Sequence, residues 1–327
     1  RSQLPLFLEH DGLVRFASSN SSGTRLHGNI LIDRSMTSPL QVINWDAEPI
    51  GPKYIAESLQ KALETRKQNK LPVENLHSAF RLSNGLADGL PGLAIDLYGP
   101  YAMIHVYSHH WQSHVMEIAK SLMKLERRVE GVYAVNRSRK AGGESGAASD
   151  TSESRMKSQC IWGRRAQDHK TIVEENGLLY HVQLDNGPAI GLYMDQRLNR
   201  TKVVNLLKKV QEHNMLSDSK EIGFQKPRFL NTFSFTGSFS VAAAARADAI
   251  TTSVDASEVA QLWAKDNFVL NGLEPQVHEF VKKDVFTALA AYATQDRQFD
   301  VVFLDPPTIS RVKVRNSGPD RNSSATY

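Results

Sequence analysis

The sequence predicts an α/β chain in which a doubly wound parallel sheet follows a small α+β domain. Two observations carry this expectation. From residue 186 onward, β-type runs alternate with helical runs at the spacing of successive strand–helix units. Before that point a helix, two hairpin signals and a long Ser- and Gly-rich interruption follow one another without such a rhythm. At 327 residues the chain has the length of about two domains.

In chain order, residues 1–50 carry little pattern. Ser18-Ser19-Asn20-Ser21-Ser22-Gly23 reads as a turn cluster and 29–33 as a short strand, so this stretch is expected to be a remnant with no core of its own. Gly51-Pro52 opens a helix over Pro52–Gln68, where Ile55, Leu59 and Leu63 recur every four residues. Residues 93–97 and 101–107 read as strands around Tyr98-Gly99-Pro100, and 112–125 as a second helix. Residues 137–159 are rich in Ser, Gly, Ala and Lys and read as a surface loop. Strands 170–174 and 178–184 frame Asn176-Gly177, a strong hairpin signal. These elements define an expected central domain, 51–185. In the expected second domain, 186–327, strands are predicted at 229–233, 250–254, 277–281 and 301–304, with helices at 238–246, 258–270 and 285–293.

Composition narrows the function classes. The single cysteine, Cys160, excludes an internal disulfide framework and any multi-cysteine metal site, and it fits a reducing compartment. A net charge of +4 permits a polyanionic partner without requiring one. The longest uncharged stretch, 229–245, is interrupted by Asn, Ser, Thr and Gly and is too short and too polar to span a bilayer. His109-His110 beside Trp111 is read as no metal pair, because adjacent side chains on one element diverge.

Ligands of doubly wound sheets bind outside the carboxyl ends of the strands, at the point where strand order reverses. Four features fall at such ends. Asn231-Thr232-Phe233-Ser234-Phe235-Thr236-Gly237 links the first strand to a helix. Its single glycine, Gly237, permits a tight turn but is not a G-x-G-x-x-G diphosphate fingerprint, so a cofactor without a pyrophosphate fits better. Asp255 ends the second strand 18 residues further on (255 − 237), about where nucleotide folds hold ribose hydroxyls. Asp284 follows the third strand, placed to accept from an adenine amino group. Asp305-Pro306-Pro307 ends the fourth, where two prolines stiffen the loop and remove amide donors. Each has a plainer alternative: an ordinary turn at Thr236-Gly237, helix N-caps at Asp255 and Asp284, a strand stop at Asp305.

These residues, together with Met194-Asp195-Gln196-Arg197-Leu198-Asn199-Arg200 and the upstream Ala87-Asp88-Gly89-Leu90-Pro91-Gly92-Leu93 with Asp96, resemble a known family. It is the large-subunit ribosomal RNA cytosine-5 methyltransferases that carry a PUA domain. The resemblance covers about residues 40–310. It implies a Rossmann-like class I methyltransferase domain with S-adenosylmethionine as cofactor and ribosomal RNA as partner, and it makes 1–50 a remnant of a PUA-like region. It implies that Phe235, Thr236 and Gly237 line the cofactor, Asp255 holds its ribose and Asp284 its adenine. Asp305 and Pro306 would border the methyl-transfer site, with Gln196, Arg197 and Arg200 lining the cleft. Bottom-up, Arg197 and Arg200 lie three apart on one helix face and read equally well as a solvated face.

The sequence departs from the family at Gly187-Pro188-Ala189-Ile190-Gly191 and at Leu86. Only 22 residues follow Asp305 (327 − 305), and they lack a hydrophobic period, so the sheet is expected to be truncated after its fourth strand. Cytosine-5 chemistry needs a thiolate, and the family's catalytic cysteine falls outside this sequence. Cys160 matches no family motif and reads as an inert thiol. The alternatives are a guanine N-methyltransferase, which needs no cysteine, and an RNA-binding protein that has lost catalysis. A nicotinamide-dependent oxidoreductase is disfavoured by the single-glycine loop. Basic clusters at 124–128, 137–140, 164–165 and 202–209 are the candidate RNA contacts.

Overall fold

The computed structural model describes residues 6–8, 13–19, 25–32, 40–44, 50–126, 128–138, 157–186, 190–216, 226–307, 311–312 and 325–326. The chain divides into two compact units, Arg1–Met194 and Asp195–Tyr327. The division falls later than residue 186 because the Gln183 amide donates to the Ile190 carbonyl (2.8 Å), and Ile190 and Leu192 are buried in the first unit.

The first unit begins with an antiparallel sheet of β1 (Leu6–Leu8), β2 (Leu13–Ser19), β3 (Arg25–Ile32) and β4 (Leu40–Asn44). The expected short strand near 29–33 is thus one of four, and Ser18 and Ser19 belong to a strand rather than a turn. Next come α1 (Pro52–Gln68), β5 (Ala79–Asn84), β6 (Leu93–Tyr98), β7 (Tyr101–Val106), α2 (Val115–Leu125), β8 (Gly131–Asn136) and β9 (Gln159–Gly163). Strands β5 to β9 form one sheet in chain order, antiparallel except for the β7–β8 pair. Alternate residues Leu93, Ile95, Leu97, Ile104 and Val106 point from it to the core they share with Ile55, Leu59 and Leu63 of α1 and Ile118 and Leu122 of α2. The hairpin β10 (Lys170–Glu175) and β11 (Leu178–Gln183) turns at Asn176-Gly177, as expected. Most of the 137–159 loop, at 139–156, lies outside the described residues.

The family-like run at Ala87–Leu93 is built for packing. Asp88 takes two hydrogen bonds from Arg66 (2.5 and 2.7 Å), and Trp111, fully buried, donates to the Pro91 carbonyl (2.6 Å). Gly89 sits at φ +75, and a Cβ there would lie 2.9 Å from the Tyr54 hydroxyl, which itself donates to the Gly89 carbonyl. The rings of His109 and His110 lie 3.7 Å apart, so these side chains converge, against the expectation that they diverge. They do so in a tight 3-10 turn, His109–His114, not in an extended strand or a regular α-helix. Among the described residues no group of three His, Cys, Asp or Glu is placed to hold a metal ion, and no helix is long and apolar enough to cross a membrane.

The second unit runs α3 (Arg197–Leu216), β12 (Arg228–Thr232), α4 (Ser238–Ala247), β13 (Ile250–Asp255), α5 (Glu258–Leu270), β14 (Glu279–Lys282), α6 (Val285–Thr294) and β15 (Val301–Leu304). Short strands β16 (Arg311–Val312) and β17 (Ala325–Thr326) pair with each other. Strands β12 to β15 form a parallel sheet in the order β14-β13-β12-β15, which is the doubly wound arrangement expected. Order reverses between β12 and β15, and the crevice of such a sheet opens there. Strand β14 starts two residues later than 277 because Pro275–Val277 forms a 3-10 turn. A buried polar chain links β12 and β13 through α4: Asn231 donates to Ser240 Oγ (3.0 Å), which lies 2.7 Å from Ser253 Oγ.

His278 gives this unit a pH dependence. Its Nδ1 accepts from the Thr251 amide (3.2 Å), and burial pulls its pKa below the ordinary 6.5. The folded form therefore favours neutral imidazole, a stabilisation present above pH 6.5 and lost as pH falls through the lowered folded value. Urea unfolding should show stability dropping on acidification in that interval, and His278→Gln should flatten the slope; an unchanged slope would remove His278 as its source.

Candidate functional site

The carboxyl ends of β12, β13, β14 and β15 carry every sheet-edge feature singled out above. After β12 the chain makes a strained turn: Phe233 (φ 52) and Phe235 (φ 47) adopt the left-handed backbone region that bulky residues rarely enter. Such strain persists where surrounding structure over-determines it, and it gathers at ligand sites. Here the determinants are visible. Ser234 donates from its amide to the Val254 carbonyl (3.0 Å), and the Phe235 amide donates to Asp255 Oδ2 (2.9 Å). The Thr236 carbonyl accepts from Asn267 Nδ2 (2.9 Å).

Gly237 has a packing role in the loop. At φ +74, a Cβ on it would lie 2.8 Å from the Cβ of Ala264 on α5, so the glycine lets loop and helix pack. Thr236 is 1% exposed, so its side chain belongs to the loop's interior.

The two candidate N-caps separate. Asp255 is no cap: Oδ1 accepts from the Ser257 amide (2.8 Å) and Oδ2 from Phe235, while Ser257 itself caps α5. Asp255 is thus a clasp joining the ends of β12 and β13. Asp284 does cap α6, with Oδ1 accepting from the Thr287 amide (2.9 Å), and the residue stays exposed. The Lys283 amide donates to the Asp255 carbonyl (3.1 Å), which holds the start of the Asp284 turn beside β13.

Asp305 is exposed just past β15, as are Pro306 and Pro307. Gln196 Nε2 donates to Asp305 Oδ2 (3.2 Å), and Asn199 Nδ2 in turn donates to Gln196 Oε1 (2.7 Å). Residues 109 positions apart in sequence are thereby joined. Arg200 does not join them at the rim. It is 2% exposed, with its guanidinium 5.6 Å from the Phe239 ring centroid and 3.5 Å from Ser238 Oγ, so the solvated-face alternative fails for it. Arg197 is half-buried in the first turn of α3.

Sequence reasoning missed several residues at this edge. Phe286, 52% exposed, meets Phe233 edge-on at 6.2 Å, and Trp263 lies 6.3 Å from Phe235. Gln261, buried on α5, sends Nε2 toward Ser234 Oγ (3.4 Å) and the carbonyls of Ser253 (3.2 Å) and Val281 (3.4 Å). Phe233 lies within the loop already singled out and Phe286 two residues after Asp284, whereas nothing local marks Trp263 or Gln261.

The candidate RNA contacts also sort themselves. Lys202, Lys208 and Lys209 are exposed on α3. Arg137 lies over the Tyr107 ring (5.8 Å), and Arg164 pairs with Glu130 (3.0 Å). Arg165 contacts His169. Residues 127, 139 and 140 lie outside the described residues. Arg128 is buried and donates to the carbonyls of Val73 (2.8 Å) and Asn75 (2.6 Å), so it is a structural strut, not an RNA contact. Arg128→Ala should lower stability by about 2 kcal/mol through the lost charged hydrogen bonds. Its effect on RNA affinity should be nil, as measured by urea unfolding beside RNA titration.

With this geometry in place, similarity to known proteins is decisive for the fold. Residues 194–314 match the family described as Conserved hypothetical protein 95. The chain is 31% identical over 268 residues to YwbD of Bacillus subtilis, a candidate ribosomal RNA large subunit methyltransferase; the match covers 82% of this chain and 60% of that protein. It is 31% identical over 264 residues to Ribosomal RNA large subunit methyltransferase I of Alteromonas mediterranea, covering 80% of this chain and 58% of that protein. The chain is thus similar, over most of its own length, to proteins named as ribosomal RNA large subunit methyltransferases. It spans less than two thirds of the length of these relatives. A further match, 38% identical over 142 residues, is Ribosomal RNA large subunit methyltransferase K of Neisseria meningitidis, covering 43% of this chain and 35% of that protein. Among solved structures, a candidate SAM-dependent methyltransferase from Streptococcus mutans superposes with a TM-score of 0.70 at 23% identity, covering 92% of this chain and 70% of the other. The fold is therefore that of the class I methyltransferases, with a Rossmann-like sheet.

Proposed function

We propose that the second unit binds S-adenosylmethionine and that the chain is a methyltransferase of large-subunit ribosomal RNA, acting on carbon-5 of cytosine. One observation carries the cofactor reading: the strained single-glycine loop after β12, clasped by Asp255 at the edge where strand order reverses. The donor set fits this ligand. Asp255, Asp284 and Asp305 make an acidic edge, which suits a sulfonium cation with hydroxyl and amino groups to donate and opposes a pyrophosphate. S-Adenosylmethionine, when bound, supplies an electrophilic methyl group.

The protein's own residues then bind and orient. Asp255 retains lone pairs beyond its two amide bonds and accepts from the ribose hydroxyls. Asp284, whose Oδ1 is committed to its helix, offers Oδ2 to the adenine amino group. Phe235, Thr236 and Gly237 contribute backbone along the cofactor, since the Thr236 side chain is turned inward. Asp305 and Pro306 border the target base, and Gln196 holds Asp305 in place. Arg197 lines the cleft, and Arg200 supports the start of α4.

RNA as substrate rests on the relatives' names and on the exposed lysines of α3. Methylation at carbon-5 needs a thiolate to add first to the neighbouring ring carbon. Cys160 does not fit that role: burial pushes its thiol pKa up, and Sγ donates to the Trp162 carbonyl (3.7 Å). A second reading, methylation of a guanine amino nitrogen, needs no thiolate and rests on Asp305 beside Pro306 and Pro307. Asp305 would accept the amino proton beside two prolines that offer no competing amide.

The test is calorimetric titration with S-adenosylmethionine, NADH serving as control, followed by transfer of labelled methyl to large-subunit ribosomal RNA and nucleoside analysis. Labelled 5-methylcytidine supports the main reading and labelled methylguanosine the second. Cofactor binding without transfer leaves an RNA-binding protein, and binding of NADH alone overturns the proposal.

A further inference from the structure

The first unit holds a buried polar cluster of Asp96 and His105 with Arg81. Asp96 and His105 alternate along β6 and β7 with the core residues Ile95, Leu97, Ile104 and Val106, so they occupy the sheet face away from α1 and α2. Both are about 3% exposed. Asp96 accepts from Arg81 through Nε (2.8 Å) and Nη2 (3.1 Å) and lies 3.0 Å from His105 Nε2. Burial opposes its ionisation, yet the hydrogen bonds from His105 and Arg81 hold the Asp96 carboxyl below its ordinary pKa. The buried carboxylate thus fixes the plane of an arginine whose side chain is 44% exposed. Among the described residues, Nη1 of Arg81 has one long contact, 3.4 Å to Asn84 Oδ1. Among the described residues, His105 Nδ1 is buried without a hydrogen-bond partner.

An aromatic surface adjoins this fork. Tyr107, 39% exposed, follows β7 and stacks on His105 with ring planes 28° apart. Arg137 follows β8 at the same level, held there by its amide donating to the Val106 carbonyl (2.7 Å), and its guanidinium lies 5.8 Å from the Tyr107 centroid. A flat ring, a guanidinium plane and an oriented, outward-facing donor are the parts that bind unpaired nucleotides: bases stack on aromatic and arginine planes while a fixed fork takes a phosphate.

We propose that Arg81, Tyr107 and Arg137 form a binding site for single-stranded RNA on the first unit, with Asp96 and His105 as positioning residues for Arg81 and Tyr107. The inference rests on the reading of this chain as an RNA methyltransferase and adds where its substrate is gripped. A preorganised fork loses little freedom on binding, and for this reason a buried carboxylate is set behind it.

The test uses the full chain and a fluorescein-labelled single-stranded RNA 20-mer, followed by anisotropy at several salt concentrations, with S-adenosylmethionine titration alongside. Tyr107→Ala should weaken binding about five- to hundredfold, the usual range for a lost base–aromatic stack. Tyr107→Phe keeps the ring and should stay within about twofold of wild type. Arg81→Lys keeps the charge but not the fork and should cost about tenfold. Tyr107 lies at the surface, so its variants remain informative if Arg81→Lys fails to fold. Equal affinity of wild type and Tyr107→Ala, or no binding of the 20-mer by wild type, overturns the site. A duplex bound as tightly as the single strand, with no loss in Tyr107→Ala, points to general charge attraction and also overturns it. Failure of the methyltransferase reading shows separately, as an absence of S-adenosylmethionine binding.

Discussion

Gly237→Ala should destabilise the second unit by about 2–5 kcal/mol, combining a left-handed backbone penalty with overpacking. The new methyl would arrive 2.8 Å from Ala264 Cβ, a contact that neither loop nor helix can relieve cheaply. On one side the loop is held by the Asn267 bond to the Thr236 carbonyl, and on the other Ala264 belongs to the interior of α5. Gly272→Ala is the matched control. It shares a positive φ (+69), but a Cβ there meets nothing within 4 Å. Its cost should be the backbone penalty alone, about 1 kcal/mol. Urea midpoints for the two variants test the argument: equal losses would mean that the Ala264 contact carries no energy and that α5 simply moves.

Asp255→Asn should weaken S-adenosylmethionine binding about 10- to 100-fold, the worth of a charged hydrogen-bond acceptor at a buried or half-buried site. The substitution is nearly isosteric, but one carboxylate oxygen becomes an amino group. Either the Phe235 amide or the Ser257 amide then faces a donor. The left-handed turn at Phe235 loses its anchor along with any ribose contact. Calorimetry separates the outcomes. Unchanged affinity would exclude Asp255 from the cofactor site, whatever its part in holding the loop.

The sheet was more legible in the sequence than the small domain, for a physical reason. The strand Val301–Leu304 reads as an unbroken apolar run even though Val302 and Leu304 are exposed at the sheet's edge, and helices such as Glu258–Leu270 sit between the strands at regular intervals. In the first unit, β5 (Ala79–Asn84) mixes Arg81, Ser83 and Asn84 with its buried residues and contains a bulge, so its alternation breaks. Strand β8 (Gly131–Asn136) follows a structural arginine, Arg128, which reads in sequence as part of a basic surface cluster. At the site, positions could be read but not roles. Asp255 and Asp284 look alike in sequence; only their hydrogen bonds show that one joins two strands and the other caps a helix. The Gln196–Asp305 bond was beyond reach, since the two residues lie 109 positions apart and no local pattern signals their meeting.

The hydroxyl–amide chain through Asn231, Ser240 and Ser253 has a consequence for how the sheet chooses its alignment. Apolar side chains tolerate sliding, because one methyl neighbour replaces another at little loss. The polar chain tolerates none: Asn231 on β12 and Ser253 on β13, paired in register, both reach the one hydroxyl of Ser240 on α4, so a slip of either strand breaks one of its two links. Replacing the three residues with aliphatic ones of like volume would therefore add cohesion while removing discrimination among neighbouring registers. The polar chain acts as a key for strand alignment, and the Phe235 amide meets Asp255 at the ends of β12 and β13 only in the register that it admits.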